Sequence, residues 1–189
     1  MGGKIIGGLA IAAMTTGVFA GNGSNAQTLD NTWITRVRMR LANSWTAALP
    51  QRRSRSQMQA YSLKLVNRDR KNYRRSRLMA DPLLTQVAQR HAEDMATRNF
   101  FGHVNPWGQT PSDRIKAAGG SGGVAENLAY QMSGSGIHPS YPLAETFQDG
   151  WMRSAGHRAN LLNPTYHRFG YGIATSRDGT KVFAVQLFR

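Results

Sequence analysis

The sequence contains no cysteine among its 189 residues. That absence excludes disulfides, thiolate metal ligands and cysteine nucleophiles. Acidic residues are also scarce, with 10 Asp and Glu against 24 Lys and Arg, which gives a net charge of +14. A hydrophobic content of 40% with four Trp still argues against wholesale disorder. The length suits one domain, or one domain with an appendage.

The positive charge is concentrated in one stretch of the chain. Residues 30–77 hold 13 basic residues and two acidic ones, a net charge of +11. Residues 78–189 hold 10 basic and 8 acidic residues, a net charge of only +2. A basic block can bind nucleic acid or an anionic membrane, but no nucleic-acid motif or interleaved aromatic pattern accompanies this one, which argues against nucleic acid. The densest cluster, residues 67–77, is interpreted as a solvated charged face.

The first 26 residues have the pattern of an export signal. Lys4 precedes a short apolar stretch, and small residues follow it. Cleavage after Ala26 or after Ala20 fits the small-residue rule, and an uncleaved anchor is the alternative. The apolar run is short and glycine-rich for a membrane span. The sequence therefore predicts a signal peptide over residues 1–26 and a secreted protein, periplasmic or extracellular.

Residues 27–56 are predicted to form a basic amphipathic helix followed by a linker. Trp33, Trp45 and their apolar neighbours recur at helical spacing, arginines flank this stripe, and Pro50 ends it. Such a helix can lie on an anionic membrane surface, and the alternative interpretation is a helix packed on the domain with its arginines in water. The linker is predicted over residues 52–56.

From residue 57 onward the sequence predicts helices and loops followed by a β-hairpin. Asp81 followed by Pro82 is a typical helix start, and the apolar residues of that helix share one face with His91. His91 is interpreted as a hydrogen-bonded core residue. An Asp-Gly turn between two apolar runs near the C-terminus predicts the hairpin. Helices first and a hairpin last indicate an α+β or layered α/β/α fold.

Three polar residues stand in settings that invite a function. His103 lies in a loop rich in Gly and Pro, where a side chain can face a cleft. Glu126 lies in an apolar stretch, which costs free energy unless a partner compensates the charge. His157 follows a predicted amphipathic helix. If that helix is unbroken, Ser154 returns to its buried side and Glu145 faces water.

In their order, these motifs resemble the bacterial branch of the CAP superfamily, which includes cysteine-rich secretory, antigen 5 and pathogenesis-related proteins. The motifs are Phe-Gly-His103-x-x-Pro-x-Gly, Ala-Glu126-Asn127-Leu128 and Trp151-x-x-Ser154-x-Gly-His157-Arg158-x-Asn160. With the terminal hairpin they cover a predicted domain over residues 57–189. The resemblance implies a three-layer α-β-α sandwich with a central antiparallel sheet.

The resemblance also implies a cleft lined in many members by two His and two Glu. His103, Glu126 and His157 fill three of these positions, and Ser154 stands at the fourth. These three residues are therefore the candidate ligands of a divalent ion such as Zn²⁺. The expected supporting residues around the cleft are Ser154, Arg158, Asn160 and Asn127.

The favoured function is a non-enzymatic module that binds a lipid, an envelope component or a protein partner. The missing second Glu and the lack of a nucleophile-base pair or a nucleophile-elbow motif argue against an enzyme. One alternative is a metal-dependent, peptidase-like hydrolase with His103, Glu126 and His157 as its candidate catalytic residues. Another is a cationic membrane-surface protein acting through residues 30–77. A third is a purely structural cross-link of loops through the same three side chains.

Overall fold

The structure is a computed structural model, and it describes residues 51–189. The predicted signal peptide and the predicted basic helix that ends before Pro50 lie outside the described residues. No helix between residues 51 and 189 has the length and apolar character needed to cross a membrane. The elements in chain order are α1 (Arg55–Asn72), β1 (Met79–Ala80), α2 (Pro82–Arg98), α3 (Pro111–Ala117), β2 (Ala125–Met132), α4 (Tyr141–Arg153), α5 (Ala155–Leu162), β3 (Arg168–Thr175) and β4 (Lys181–Phe188).

The strands form one four-stranded sheet in the order β1-β3-β4-β2. The three long strands are antiparallel to their neighbours, and only the two-residue β1 runs parallel to β3. The predicted hairpin is β3 and β4, and its turn has Gly179 at φ +71. Asp178 accepts hydrogen bonds from the Ser176 hydroxyl and the Thr180 amide, which lower the pKa of its carboxyl to about 2.

Apolar side chains cover both faces of the sheet, so the described domain has three layers. One core lies between the sheet and helices α1, α4 and α5. The other lies between the sheet and helices α2 and α3. Strand β4 contributes side chains to both cores, because successive side chains of a strand point to opposite faces of the sheet. Val182 and Ala184 belong to the first core, and Phe183 and Val185 belong to the second. The α+β fold predicted as an α-β-α sandwich is confirmed.

Two glycines of β3 let α2 lie directly on the sheet. A Cβ at Gly170 would come within 2.3 Å of the Leu84 backbone, and one at Gly172 within 2.3 Å of the Ala88 backbone. The helix begins as predicted, with Asp81 accepting a hydrogen bond from the Leu84 amide and Pro82 at the first helical position. The side-chain amide of Gln89 then fastens α2 to the backbone of β3.

Helix α1 departs from two predictions. It begins at Arg55 with a capping box between Ser54 and Gln57, so the end of the predicted linker belongs to the helix. The cluster at residues 67–77 is not simply a solvated face, because Arg70 is fully buried. Its side chain lies on the inward side of α1, one turn after the buried Val66.

Arg70 is held by backbone carbonyls and not by a carboxylate. Its guanidinium donates to the carbonyl oxygens of Ser76 (2.7 Å), Leu161 (2.8 Å), Asn163 (3.0 Å) and Tyr166 (3.3 Å). Burial lowers the pKa of Arg70. Since two of its acceptors lie at the end of α5, this side chain fixes the C-terminal end of that helix against α1.

The helix preceding His157 is broken, contrary to the assumption of a continuous helix. Ser154 has ψ 121, an extended conformation, and it separates α4 from α5. The α4 residues behave as predicted, with Trp151 buried and Glu145 exposed. The Trp151 indole donates to the Leu128 carbonyl at 2.9 Å and so joins α4 to β2. His157 is therefore presented by a separate short helix.

Candidate functional site

Glu126 is the buried centre of the candidate site. It lies near the start of β2, and its side chain is 2% exposed. One carboxylate oxygen accepts from His103 Nδ1 at 2.9 Å, and the other accepts from Arg114 Nη2 at 2.7 Å. A buried Glu126 was expected to need a partner for its charge. Two donors, His103 and the Arg114 cation, fill that role.

Arg114 is a site residue that the sequence reasoning missed. Helix α3 carries it, and a Thr110-Asp113 capping box fixes the start of that helix. Its Nη1 also donates to the carbonyl oxygens of His103 (2.8 Å) and Gln109 (3.0 Å). Arg114 thus ties the histidine loop to Glu126. The only signal for it in the sequence was the need of a buried Glu126 for a cationic partner.

The contact with Glu126 settles which ring nitrogen of His103 carries a proton. A carboxylate can only accept, so Nδ1 of His103 is the donor. In the neutral ring, Nε2 then has the lone pair. The His103 side chain is 53% exposed.

His157 is the second imidazole of the site, on α5. Burial lowers its pKa, and the charge of the neighbouring His103 lowers it further. Both effects favour the neutral form of the ring. Of the three predicted residues, His103 contacts Glu126 directly, and the charge of His103 acts on His157; the cleft between them stays a prediction.

The three residues do not fit a three-ligand metal site. Within residues 51–189, no group of three His, Asp or Glu side chains is placed to hold a metal ion. Both oxygens of Glu126 are engaged by His103 and Arg114 at hydrogen-bond distance. Glu126 as a direct ligand is therefore not supported, and the candidate donors that remain are Nε2 of His103 and the imidazole of His157.

Two of the four predicted supporting residues connect β2 to α5. Asn127 is fully buried, and its amide donates to the carbonyl of His157 at 3.2 Å. The Asn160 amide donates to Asn127 Oδ1 at 2.9 Å. Arg158 instead spans the helix break, donating to the Met152 carbonyl at 3.1 Å. Ser154 makes no side-chain capping hydrogen bond.

The contacts of Asn127 continue as a buried chain of hydrogen-bonded amides through the sheet. Asn127 donates to Gln186 (3.3 Å), Gln186 to Gln148 (2.9 Å), and Gln148 to the carboxylate of Asp69 (2.8 Å). With Asn160 at its other end, we call this series the amide chain. It links α5, β2, β4, α4 and α1, so every helix on that face shares one polar network with the His157 backbone.

Comparison with known proteins agrees with this fold. The model of the cysteine-rich secretory protein family, CAP, matches residues 63–188. The uncharacterized protein YkwD of Bacillus subtilis (strain 168) is 31% identical over 124 residues, which cover 64% of this chain and 45% of that protein. The chain thus spans less than half the length of this curated relative.

Two solved structures share the architecture. An outer surface protein from Borrelia burgdorferi superimposes with a TM-score of 0.61 at 19% identity, covering 75% of this chain and 98% of that one. An extracellular protein containing an SCP domain from Bacillus anthracis str. Ames gives a TM-score of 0.56 at 27% identity, covering 71% of this chain and 40% of that one. Both are bacterial proteins of the cell surface or exterior. The chain belongs to the CAP family and is of the bacterial type.

Proposed function

We propose that the protein is an exported, non-enzymatic binding module whose site is the region around His103 and His157. The observation that carries this proposal is the full engagement of Glu126. A carboxylate that is 2% exposed, with one oxygen bonded to His103 and the other to the Arg114 cation, is shielded from an attacking water and is poorly placed to act as a general base. It supports the site by holding its neighbours in place.

The two imidazoles suit a divalent cation such as Zn²⁺. Glu126 bonds to Nδ1 of His103 and so orients Nε2 as a ligand, which is the usual role of a carboxylate behind a metal-binding His. The lowered pKa of His157 keeps it neutral, the form that binds metal. Two protein ligands leave further coordination positions for groups of a bound partner. The partner itself is a lipid, an envelope component or a protein.

Calorimetric titration with Zn²⁺ tests the metal part of this proposal. We expect His103→Ala and His157→Ala each to weaken binding by tenfold or more, because each removes one of only two ligands. His167→Ala is the matched control, since His167 is exposed and lies outside the site. Equal affinity in all four proteins, or no heat of binding in the wild type, would overturn the two-histidine site.

The same variants separate binding from hydrolysis. Turnover of a peptide library that disappears in His103→Ala and His157→Ala with folding unchanged would establish the alternative hydrolase.

The cationic-surface alternative has its own test, sedimentation with anionic phospholipid vesicles across a salt series, with and without residues 27–56. Salt-sensitive binding lost on deletion supports that alternative, and binding unchanged by deletion contradicts it.

A further inference from the structure

The edge of the sheet that β1 forms carries four exposed arginines. They are Arg74, Arg75, Arg77 and Arg168. The first three lie in the loop between α1 and β1, and the fourth begins β3, where it pairs with Met79 of β1. We call residues 73–79 together with Arg168 the basic edge.

The buried Arg70 brings the two parts of the basic edge together. Its guanidinium donates to the carbonyl oxygens of Ser76 (2.7 Å) and Tyr166 (3.3 Å), so the loop after α1 and the segment before β3 meet at one side chain. The Arg75 amide also donates to the Arg70 carbonyl at 2.8 Å. The exposed charges are therefore carried by a backbone that is fixed at several points, which reduces the entropy lost on binding.

No carboxylate neutralises the charges of the basic edge. Within residues 51–189, no ion pair includes any of its four arginines. The acidic residues that flank the loop in sequence, Asp69 and Asp81, are buried, and each is paired with another arginine, Arg68 or Arg189. The basic edge therefore presents charge of one sign to water, and an anionic partner complements it.

Arg74 has a backbone conformation that arginine does not favour. It follows the C-cap residue Tyr73 of α1 and has φ 55, in the left-handed region where helices usually end in Gly or Asn. Its guanidinium has no hydrogen-bond or ion-pair partner in the described part of the chain. A partner outside the chain would account for a charged side chain at this strained position.

Two exposed apolar side chains indicate which anionic partner fits. Tyr73 is 53% exposed and Met79 is 61% exposed, and they flank the three arginines of the loop. A soluble phosphate polymer offers these side chains no apolar surface. An anionic bilayer suits both kinds of residue, because arginines pair with lipid phosphates while Tyr and Met side chains enter the boundary between headgroups and acyl chains.

We propose that the basic edge is a separate binding surface, which docks on an anionic phospholipid membrane. It shares no residue with the histidine site. It also differs from the cationic surface over residues 30–77, because it includes Met79 and Arg168 of the folded domain and does not depend on residues 27–56. In the docked state Met79 contacts lipid, whereas Met132, on the strand at the opposite edge of the sheet, stays in water.

The absence of native cysteine allows a local test of this contact in the full chain. Met79→Cys and Met132→Cys each introduce a single cysteine, which is labelled with an environment-sensitive fluorophore. Met132 is the matched control, since it is 62% exposed. With phosphatidylglycerol vesicles we expect a blue shift of the emission at position 79 and none at position 132. Phosphatidylcholine vesicles and soluble polyphosphate should leave both spectra unchanged.

Charge reversal provides a second, independent measurement. Arg74→Glu combined with Arg77→Glu should weaken binding to phosphatidylglycerol vesicles about tenfold or more, because each arginine near an anionic surface contributes substantially to the affinity. Arg90→Glu combined with Lys116→Glu is the matched control, because it changes the net charge equally at exposed positions outside the basic edge. It should change the affinity by less than about threefold.

Three results would overturn the proposal: no blue shift at position 79, an equal shift at position 132, or an equal loss of affinity in the two charge-reversal variants. A shift at position 79 with polyphosphate as large as that with vesicles would also overturn it and would assign the basic edge to a soluble polyanion. Zn²⁺ titration of the Arg74→Glu, Arg77→Glu variant should be unchanged, so this result and that of the histidine pair are independent.

Discussion

Replacing Arg70 by leucine should destabilise the domain strongly, although the sequence places this residue in a run of surface charges. Three of its four hydrogen bonds to backbone carbonyls are 3.0 Å or shorter. At about 1 kcal/mol for each bond lost, Arg70→Leu should lower the free energy of unfolding by about 3 kcal/mol. Domains of this size have about 5–15 kcal/mol in total. The expected fall in Tm is roughly 10 °C.

Urea denaturation followed by far-UV circular dichroism measures this effect. Arg70→Lys should lie between wild type and Arg70→Leu, because an ammonium group offers its donors from one point and cannot span four carbonyls. Arg77→Leu is the control, an exposed arginine of the same cluster, and should change stability by less than about 0.5 kcal/mol. A loss below about 1 kcal/mol in Arg70→Leu, or an equal loss in the control, would refute the assigned role.

Three further predictions follow from local features. Gly172→Ala should lower the free energy of unfolding by about 3 kcal/mol, because its Cβ would meet the α2 backbone at 2.3 Å. Gly150→Ala, with open space around it, should raise that free energy by about 0.5–1 kcal/mol. Thermal unfolding measures both. Burial lowers the pKa of His91, so as the pH falls below about 6.5 the unfolded chain binds this proton first. Between about pH 7.5 and 5.5 the wild type should therefore lose about 1 kcal/mol more stability than His91→Gln, and equal losses in urea titrations would contradict this. The Asp178 carboxyl should titrate by NMR at about pH 2, and Ser176→Ala should move that value upward because the serine hydroxyl is the main cause of the shift; an unmoved titration would show otherwise.

Features with local causes could be predicted from the sequence. The start of α2 at Asp81 depends on a capping side chain and a proline next to it, and its buried face follows from helical spacing. The β3-β4 hairpin depends on a two-residue turn signal between apolar runs. The motifs around His103, Glu126 and His157 indicated the family, which the match over residues 63–188 confirms.

Features with distant causes could not be predicted in this way. Arg70 is buried because carbonyls 91 to 96 residues further along the chain fold over it, and no periodicity shows that. Arg114 approaches Glu126 across a loop without a regular spacing. The break at Ser154 is a single extended residue between two helical runs. The export signal and the basic helix before residue 51 stay predictions.

The amide chain has a direction, and two groups that can only accept set it: the carboxylate of Asp69 at one end and the carbonyl of His157 beside Asn127. Every amide donates towards Asp69, whose carboxylate can only accept, so the whole series points one way. If every amide turned over, Asn127 would present oxygen to the carbonyl of His157, and the hydrogen bond between them would become a repulsion. In Asp69→Asn the α1 end no longer dictates an orientation, and the carbonyl of His157 alone keeps Asn127 as a donor. A carboxylate on α1 and a backbone carbonyl of the short helix that carries His157 thus favour the same orientation of the amides between them.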